Sequence, residues 1–369
     1  MGEKDLFDYS SDLNQTKVSG VVSNEHILDA LSHILNLNDI NGIRSEIVSL
    51  IALIEEHQAT DSNVSINKKE SEELQVNMLD LKKAENAFTL ERAKHYVKRV
   101  MKGITEQRTS KINDINLNRW KDYNEVITDS LWIFDRRDRS EGHNAKYWGN
   151  FVPQIPHQLL LRFTKKGEWV IDPFMGSGTT LIESKKLLRN SVGIDLEDNA
   201  IALAQENLKK SGTSNKVETR IIKSDNLELN YQKLLDELNI RHFQFMMLHP
   251  PYWDIIKFSE DSRNYSNFAN LEIFLNSLGR LAKLLRPVLQ DNRYLALVIG
   301  DKYSNRKWLP LGFYSMQRFI EAGYSLKSIV VKNYDMTKGK RDSSALWRYR
   351  ALVGGFYVFK HEYIFLFQK

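Results

Sequence analysis

The stretch Asp172-Pro173-Phe174-Met175-Gly176-Ser177-Gly178-Thr179-Thr180 decides how this chain folds. The apolar run at 168–171 that precedes it is typical of a buried strand, which the Asp-Pro pair would end. The glycines allow a tight turn in which bare backbone can approach a ligand closely. Because 179–188 has the apolar spacing of a helix, the sequence predicts a strand, a glycine turn and a helix in succession.

An acidic residue after the next strand adds to this pattern. Residues 191–194 predict that strand, and Asp195 follows it, 23 residues after Asp172. Nucleotide-binding folds place an acid on ribose hydroxyls at nearly this spacing. No Lys-Ser/Thr follows the second glycine, so the turn is not a Walker loop. The pattern favours a nucleoside with a short sulfonium tail over a pyrophosphate.

A second motif, His249-Pro250-Pro251-Tyr252, follows an apolar strand predicted at 243–248. Two prolines fix the backbone and remove two N–H donors, so neighbouring carbonyls remain as acceptors for an exocyclic amino group. The tyrosine ring offers a face on which a planar base can stack. Acceptors on both N–H bonds favour the pyramidal amine whose lone pair can attack a methyl sulfonium, so orientation and electrostatics would provide the catalysis.

The two motifs together resemble those of the S-adenosylmethionine-dependent DNA amino-methyltransferases, which modify adenine N6 or cytosine N4. The segment 150–156 also resembles that family's additional cofactor motif, and the resemblance covers about 150–369. It implies S-adenosylmethionine as cofactor and double-stranded DNA as partner, with catalysis by His249, Pro250, Pro251 and Tyr252. The residues predicted to bind the cofactor are Phe151, Asp172, Pro173, Phe174, Gly176, Ser177, Gly178, Thr179, Thr180, Asp195 and Asp225.

The catalytic motif departs from the family at His249, where Asp, Asn, Ser or Thr is usual. A neutral imidazole can accept one hydrogen bond, so we expect activity to fall as the ring protonates in the ordinary histidine range. Trp253 makes the motif somewhat more similar to cytosine-N4 members, with adenine N6 as the alternative. Methylation of an RNA base and a catalytically inactive nucleic-acid-binding homologue are the further alternatives.

The remainder of 131–369 predicts an α/β catalytic domain with a doubly wound, mostly parallel, seven-stranded Rossmann-like sheet. Further strands are predicted at 217–224, 293–299, 326–332 and 363–367, and a helix is predicted at 271–285. The resemblance implies that the last strand is antiparallel. Ligands of such sheets bind outside the carboxyl ends of the strands, where both motifs fall.

Residues 1–130 predict a helical N-terminal region with a possible role in DNA recognition. Helices are expected over 27–56, with a break near 36–41, and as one long helix over 72–107. The polar stretch at 59–71 predicts a loop or linker. A second long loop is predicted at 334–360.

Basic residues recur in three places that nucleic acid could contact. Lys94, Lys98 and Lys102 repeat every four residues on a predicted helix, opposite an apolar face, although an ordinary solvated helix face explains them equally well. The loop at 334–360 mixes aromatic residues with basic ones, or is a surface hairpin with a few core aromatics. Its assigned nucleic-acid-binding residues are Lys338, Lys340, Arg341 and Arg348. The third place is 136–146, just before the cofactor region.

Composition limits the other functional classes. The 369 residues include no cysteine, which excludes disulfides and thiolate metal sites, and the nine histidines lack paired ligand spacing. The net charge of +5 is modest for a nucleic-acid-binding protein, so its distribution matters more than its total. We found neither a signal peptide nor an apolar run of membrane-spanning length, and expect a cytoplasmic protein. A cognate restriction nuclease is a possible partner.

Overall fold

The computed structural model describes residues 22–63, 76–140, 142–143, 147, 149–212, 216–333 and 344–369. These residues fall into two compact units. One lies within 22–109 and 115–123, and the other comprises 110–114 and the described residues from 124 to 369. None of the helices in these ranges is long and apolar enough to cross a membrane.

The first unit contains α1 (Asn24–Asn36), α2 (Ile40–Asn63), α3 (Met78–Glu85) and α4 (Leu90–Thr105). Apolar residues at helical spacing form its core, among them Ile27, Leu31, Ile43, Ile47, Leu81 and Val97. A short 3₁₀ segment, Leu117–Asp122, follows. The unit is therefore helical, as the sequence predicts.

Two details of the prediction for this unit were wrong. The long helix expected over 72–107 is two helices, because Asn86 caps the end of α3 and the Thr89 hydroxyl accepts a hydrogen bond from the Arg92 N–H at the start of α4. The predicted loop at 59–71 is helical as far as Asn63. Residues 64–71 of that predicted loop lie outside the described residues.

The second unit is built on one mixed sheet, whose strand order is β1-β9-β10-β6-β5-β2-β3-β4. Its strands are β1 (Leu131–Trp132), β2 (Trp169–Asp172), β3 (Asn190–Asp195), β4 (Thr219–Lys223), β5 (Phe243–Leu248), β6 (Leu289–Ile299), β9 (Ser325–Asn333) and β10 (His361–Gln368). Only β10 is antiparallel to its neighbours, β6 and β9. The predicted mostly parallel α/β sheet is confirmed.

The helices of this unit lie on both faces of the sheet. They are α5 (Gln154–Phe163), α6 (Thr179–Lys186), α7 (Asp198–Lys210), α8 (Tyr231–Leu238), α9 (Leu271–Leu285), α10 (Leu311–Glu321) and α11 (Ser344–Gly354). Alternate residues of β5 enter opposite cores: Phe245 and Met247 pack with α5, whereas Met246 and Leu248 pack with α8 and α9. This alternation explains why the central strand is apolar except at Gln244.

Three features of the structure differ from the predicted sheet. The sheet has eight strands rather than seven, because the Val331 N–H donates to the Ser130 carbonyl and brings β1 alongside β9. The strand predicted at 293–299 begins at Leu289. The predicted loop at 334–360 contains α11, and a separate two-stranded hairpin, β7 (Lys302–Ser304) and β8 (Lys307–Leu309), follows β6.

Candidate active site

The glycine turn follows β2 directly, where the sequence predicts it. Gly176 has φ +53° and Gly178 has φ +82°, values in the left-handed region that favours glycine. The Gly178 N–H donates to the Met175 carbonyl at 2.9 Å, which closes the turn. We call Pro173–Ser177 the glycine wall.

Asp172 supports the glycine wall from beneath. Its carboxylate accepts hydrogen bonds from the Phe174 N–H at 2.9 Å and from the Thr180 hydroxyl at 2.5 Å. The side chain is 1% exposed, and this burial raises the pKa of its carboxyl to about 7. Asp172 therefore holds the turn and the first residues of α6 together.

Residues 150–153, which precede α5 and which we call the strap, hold the turn from the other side. Asn150 Nδ2 donates to the Ser177 hydroxyl, and the Thr179 hydroxyl donates to Asn150 Oδ1, both at 2.7 Å. Arg137 Nη1 in turn donates to the backbone carbonyls of Asn150 at 3.1 Å and Phe151 at 2.9 Å. The additional motif at 150–156 and the glycine turn therefore form one bonded structure.

Carboxylates stand at the ends of β3 and β4. Asp195 accepts the Gly176 N–H at 2.8 Å and the Glu197 N–H at 3.0 Å, and burial raises the pKa of its carboxyl. Asp225 Oδ1 accepts the Leu227 N–H at 2.9 Å. Asp195, Glu197 and Asp225 all line one cavity, where carboxylate oxygens can accept from ribose hydroxyls and from an amino group.

His249–Tyr252, which we call the proline wall, extends from the end of β5. The His249 ring packs edge-on against Phe151, with ring centroids 4.7 Å apart, and its Nε2 lies 3.2 Å from the Tyr252 hydroxyl. Burial lowers the pKa of His249 to about 4, so the imidazole is neutral at physiological pH. A neutral ring keeps one lone pair with which to accept a hydrogen bond.

The glycine wall and the proline wall face a single cavity of about 860 Å³. This volume is within the range of small-molecule and cofactor sites. Of the predicted residues, those that line it are Phe151, Pro173, Phe174, Gly176, Ser177, Asp195, Asp225, His249, Pro250, Pro251 and Tyr252. Asp172, Gly178, Thr179 and Thr180 lie behind the glycine wall instead and shape it through the contacts above.

Several cavity residues were missed because they come from distant parts of the sequence. Tyr147 stacks on Phe258 with ring centroids 6.1 Å apart, and Tyr265 packs edge-on against Phe174 at 5.0 Å. Asn264 donates to Glu197 at 3.1 Å. No motif spacing connects these residues, because the folded sheet, and not the local sequence, brings them together.

The basic run at 136–146 differs in part from its expected placement. Arg137, part of the basic run expected to face nucleic acid, is turned toward the strap, and His143 is buried against the Glu183 carboxylate at 2.6 Å. Lys146 of that segment lies outside the described residues. Trp253 donates its indole N–H to the Phe268 carbonyl and does not line the cavity.

The predicted nucleic-acid-binding residues occupy two places. Lys98 and Lys102 are exposed on α4 and Lys94 is partly exposed, while Lys102 also pairs with Glu106 at 3.3 Å. Arg348 is exposed on α11. Lys338, Lys340 and Arg341 lie outside the described residues. Among the described side chains, no group of three His, Asp or Glu is arranged to hold a metal ion.

A family model described as DNA methylase, for N6 and N4 methyltransferases, matches residues 40–206. The match includes the strap, the glycine turn and Asp195, and the chain continues beyond it into the proline wall. The matched part, 167 of the 369 residues, is similar to that family. The match begins well before residue 150, where the resemblance of the motifs alone begins. The cofactor of these DNA methylases is S-adenosylmethionine, and the bare backbone at Gly176, the carboxylates and the cavity volume all fit it.

Individual DNA methylases resemble parts of the chain. Type II methyltransferase M.MjaII of Methanocaldococcus jannaschii is 42% identical over 64 residues, covering 17% of this chain and 12% of that protein. Type II methyltransferase M.BglI of Bacillus subtilis is 32% identical over 103 residues, 28% of each chain.

A relative of another kind is tRNA (guanine(10)-N2)-dimethyltransferase of M. jannaschii. It is 30% identical over 129 residues, covering 32% of this chain and 36% of that protein. The matched stretches therefore span only about a tenth to a third of these relatives.

Proposed function

We propose that this protein transfers the methyl group of S-adenosylmethionine to an exocyclic amino group of a base in double-stranded DNA. The observation that carries the proposal is the single cavity bounded by the glycine wall and the proline wall. The cofactor would bind against the glycine wall and the target base against the proline wall, so that the two meet in this cavity. Type II methyltransferases among the relatives support DNA as the substrate and make a cognate restriction nuclease a candidate partner.

The glycine wall suits the cofactor. Asp195 would accept hydrogen bonds from ribose hydroxyls, and Asp225 from the adenine amino group. Phe151 lies where the strap meets His249, between the two walls. When bound, S-adenosylmethionine supplies an electrophilic methyl group on a sulfonium.

The proline wall suits the amino group. The neutral His249 ring accepts one N–H, and a backbone carbonyl of the His249–Tyr252 turn accepts the other. Tyr252 stacks on the base, a contact worth roughly 1–3 kcal/mol in comparable sites. These acceptors orient the amine lone pair toward the methyl group, so the residues act through position and electrostatics. The base must leave the duplex to reach this wall, which costs a few kcal/mol.

Cytosine N4 is our first choice of target and adenine N6 the second. The Pro-Pro-Tyr-Trp sequence favours cytosine N4, although the Trp253 ring itself lies outside the cavity. The tRNA guanine-N2 methyltransferase among the relatives favours RNA as the second class of substrate.

A basic lobe beside the cavity is the surface we propose for the phosphate backbone. It consists of residues 302–309, which form the β7–β8 hairpin, and residues 344–360, which contain α11, and it has six basic residues and no acidic one. Tyr303 stacks on Phe356 at 3.9 Å and Trp308 packs on Phe359 at 4.2 Å, so the hairpin and the α11 segment form one packed element. Arg348 and Arg350 are exposed on it.

Salt dependence separates the two proposed DNA surfaces. We expect Arg348→Gln with Arg350→Gln to lower the slope of log Kd against log salt by about two phosphate contacts. Lys94→Gln with Lys98→Gln tests the face of α4 in the same way. A slope equal to that of the wild type for either pair would remove that surface from the proposal.

Tritiated S-adenosylmethionine tests the function directly. The purified protein is incubated with genomic DNA from a methylation-deficient host, and the DNA is digested to nucleosides for chromatography. Label in N4-methylcytosine or N6-methyladenine is the expected result and identifies the base. Label only in a parallel tRNA incubation would replace DNA by RNA. Cofactor binding without transfer to either would indicate a binding-only homologue.

A further inference from the structure

A buried ion pair lies beside the proline wall, and both of its residues also line the cavity. Glu362 of β10 and Lys332 of β9 are opposite each other in the antiparallel ladder. Their side chains pair at 3.2 Å and the two residues are 7% and 5% exposed. A buried pair of this kind costs desolvation energy and is weak evidence for stability by itself. Its position next to the catalytic motif suggests another role.

Glu362 also accepts a hydrogen bond from the catalytic motif. The Tyr252 hydroxyl donates to Glu362 Oε2 at 2.7 Å. Gly300 permits this placement, because a Cβ at that position would lie 3.0 Å from Tyr252 Cε2 and 3.8 Å from Glu362 Cβ. The tyrosine ring is thus held between the end of β6 and the carboxylate of β10.

The direction of this hydrogen bond determines the protonation of His249. A hydroxyl has one proton, and Tyr252 uses it toward Glu362. Its oxygen can then only accept from His249 Nε2, which lies 3.2 Å away. Nε2 must therefore carry the ring proton, which leaves the lone pair of the neutral imidazole on Nδ1.

We propose that Glu362 is a positioning residue that fixes the Nε2–H tautomer of His249 through Tyr252, so that Nδ1 is the atom that accepts the amino N–H of the target base. Lys332 pairs with the Glu362 carboxylate and holds it in place. The inference rests on the proposed function for its catalytic consequence, but the tautomer is a property of the protein alone. It also explains how histidine can occupy a position that needs an acceptor: the acceptor must be fixed on one nitrogen.

Nitrogen NMR of the protein labelled with ¹⁵N-histidine tests the tautomer without any activity. Two-bond proton–nitrogen couplings distinguish Nε2–H from Nδ1–H, and the spectrum of His249→Asn assigns the His249 signals among the nine histidines. At pH 7 we expect His249 as the Nε2–H form. A wild-type ring protonated on Nδ1, or on both nitrogens, would overturn the proposal whether or not the protein methylates DNA.

Variants test the part played by Glu362. In Glu362→Gln and in Tyr252→Phe we expect a mixture of tautomers in place of one, and a kcat for methyl transfer lower by about 10- to 100-fold, with the Kd for S-adenosylmethionine unchanged. The double variant should lose no more than the worse single one, because both changes act through the same ring. An unchanged Nε2–H signal in Glu362→Gln would refute the positioning role.

Glu168→Gln is the matched control. Glu168 pairs with buried Arg293 in the same unit and does not line the cavity. Its substitution should lower the melting temperature without changing the His249 tautomer or the kcat. If Glu362→Gln behaves like this control, Glu362 contributes only to stability. If no variant or wild-type protein methylates any nucleic acid while the tautomer is as expected, the proposed function fails and the positioning inference survives.

Discussion

The glycine wall and the proline wall bound the same cavity, but their supports come from different distances along the chain. The supports of the glycine wall come from nearby in the sequence: Asp172 accepts hydrogen bonds from residues two and eight positions later, and Asp195 and Asn150 bond to it across 19 to 29 positions. The proline wall depends on Glu362, which is 110 residues from Tyr252 in the sequence. Residues within one short region of the sequence therefore support the first wall, whereas the second also depends on the pairing of β10 with the sheet.

Each wall also rests on a buried titratable group, and the two pKa values move in opposite directions. Burial raises the pKa of Asp172 to about 7 and lowers that of His249 to about 4. The cause is the same, because removal from water favours the neutral form of an acid and of a base alike. Changes to the two walls should therefore have separable effects on transfer, stability and cofactor binding.

The largest expected effect comes from breaking the proline wall alone. His249→Ala combined with Tyr252→Ala removes both the amino-group acceptor and the stacking face. We expect methyl transfer to fall by at least about a thousandfold, measured as kcat with tritiated cofactor. The Kd for S-adenosylmethionine, measured by calorimetry, should stay within about twofold, because the glycine wall is untouched. Loss of cofactor binding in this variant would contradict the proposal that the glycine wall binds the cofactor and the proline wall binds the target base.

The next effect concerns the carboxyl beneath the glycine wall. The folded pKa of Asp172 lies above its unfolded value, so the folded state binds the proton more tightly and stability is lost as the pH rises from about 4 to 7. Asp172→Asn removes this titration. Between pH 5 and pH 8 we expect the wild type to lose on the order of 2 kcal/mol of unfolding free energy relative to the variant, measured by urea denaturation.

Asp261→Asn is the comparison for that measurement. Asp261 is an aspartate whose pKa is lowered to about 2 by hydrogen bonds from Arg263, so it remains ionised over the whole range. Its substitution should leave the change in stability between pH 5 and pH 8 as it is in the wild type. If Asp172→Asn shows the same pH dependence as the wild type, the carboxyl is ionised throughout and its burial does not raise its pKa.

The same contrast between local and long-range contacts explains which parts of the site could be predicted from the sequence. The strand, glycine turn and helix around Gly176 were predicted because each step is dictated by neighbouring residues: a proline, glycines at positive φ, and apolar spacing. The predicted strand at 243–248 agrees with β5 for a similar reason, since residues on both of its faces are buried and its sequence is apolar except at Gln244.

The missed features depend on long-range contacts. β1 is only Leu131–Trp132, and it forms because its backbone pairs in parallel with β9 at the edge of the sheet. Glu362 precedes the apolar residues 363–367 of β10, and the sequence alone does not show that Tyr252 and Lys332 contact its carboxylate. The pKa of His249 was also mispredicted, since burial is a property of the fold and the motif contains no sign of it.

Alanine substitutions at two glycines distinguish the need for a positive φ from the need for close approach of the ligand to the glycine wall. The expected effect is smaller than those above. Gly176 and Gly167 both have positive φ, at +53° and +79°, but a Cβ on Gly176 would lie 3.1 Å from Tyr147 Cε1 while one on Gly167 has nothing within 4 Å. Either substitution by alanine costs roughly 1–2 kcal/mol of stability through backbone strain. Only Gly176→Ala should also weaken S-adenosylmethionine binding, by about tenfold. Equal Kd values in the two variants would mean that the cofactor does not approach Gly176.

The smallest expected effect is that of pH on kcat. We expect almost none between pH 5.5 and 8, in contrast to the expectation from the motif alone. An ordinary histidine would lose activity as the pH falls below about 6.5. Burial lowers the pKa of His249 to about 4. Lys332 adds to this lowering and Glu362 opposes it, and the ring stays neutral well below pH 6.5. We expect kcat to vary by less than about twofold between pH 5.5 and 8, and to fall only as the pH approaches 4. A half-maximal rate near pH 6.5 in the wild type, absent from His249→Asn, would show instead that the ring is solvated during catalysis and that the proline wall opens.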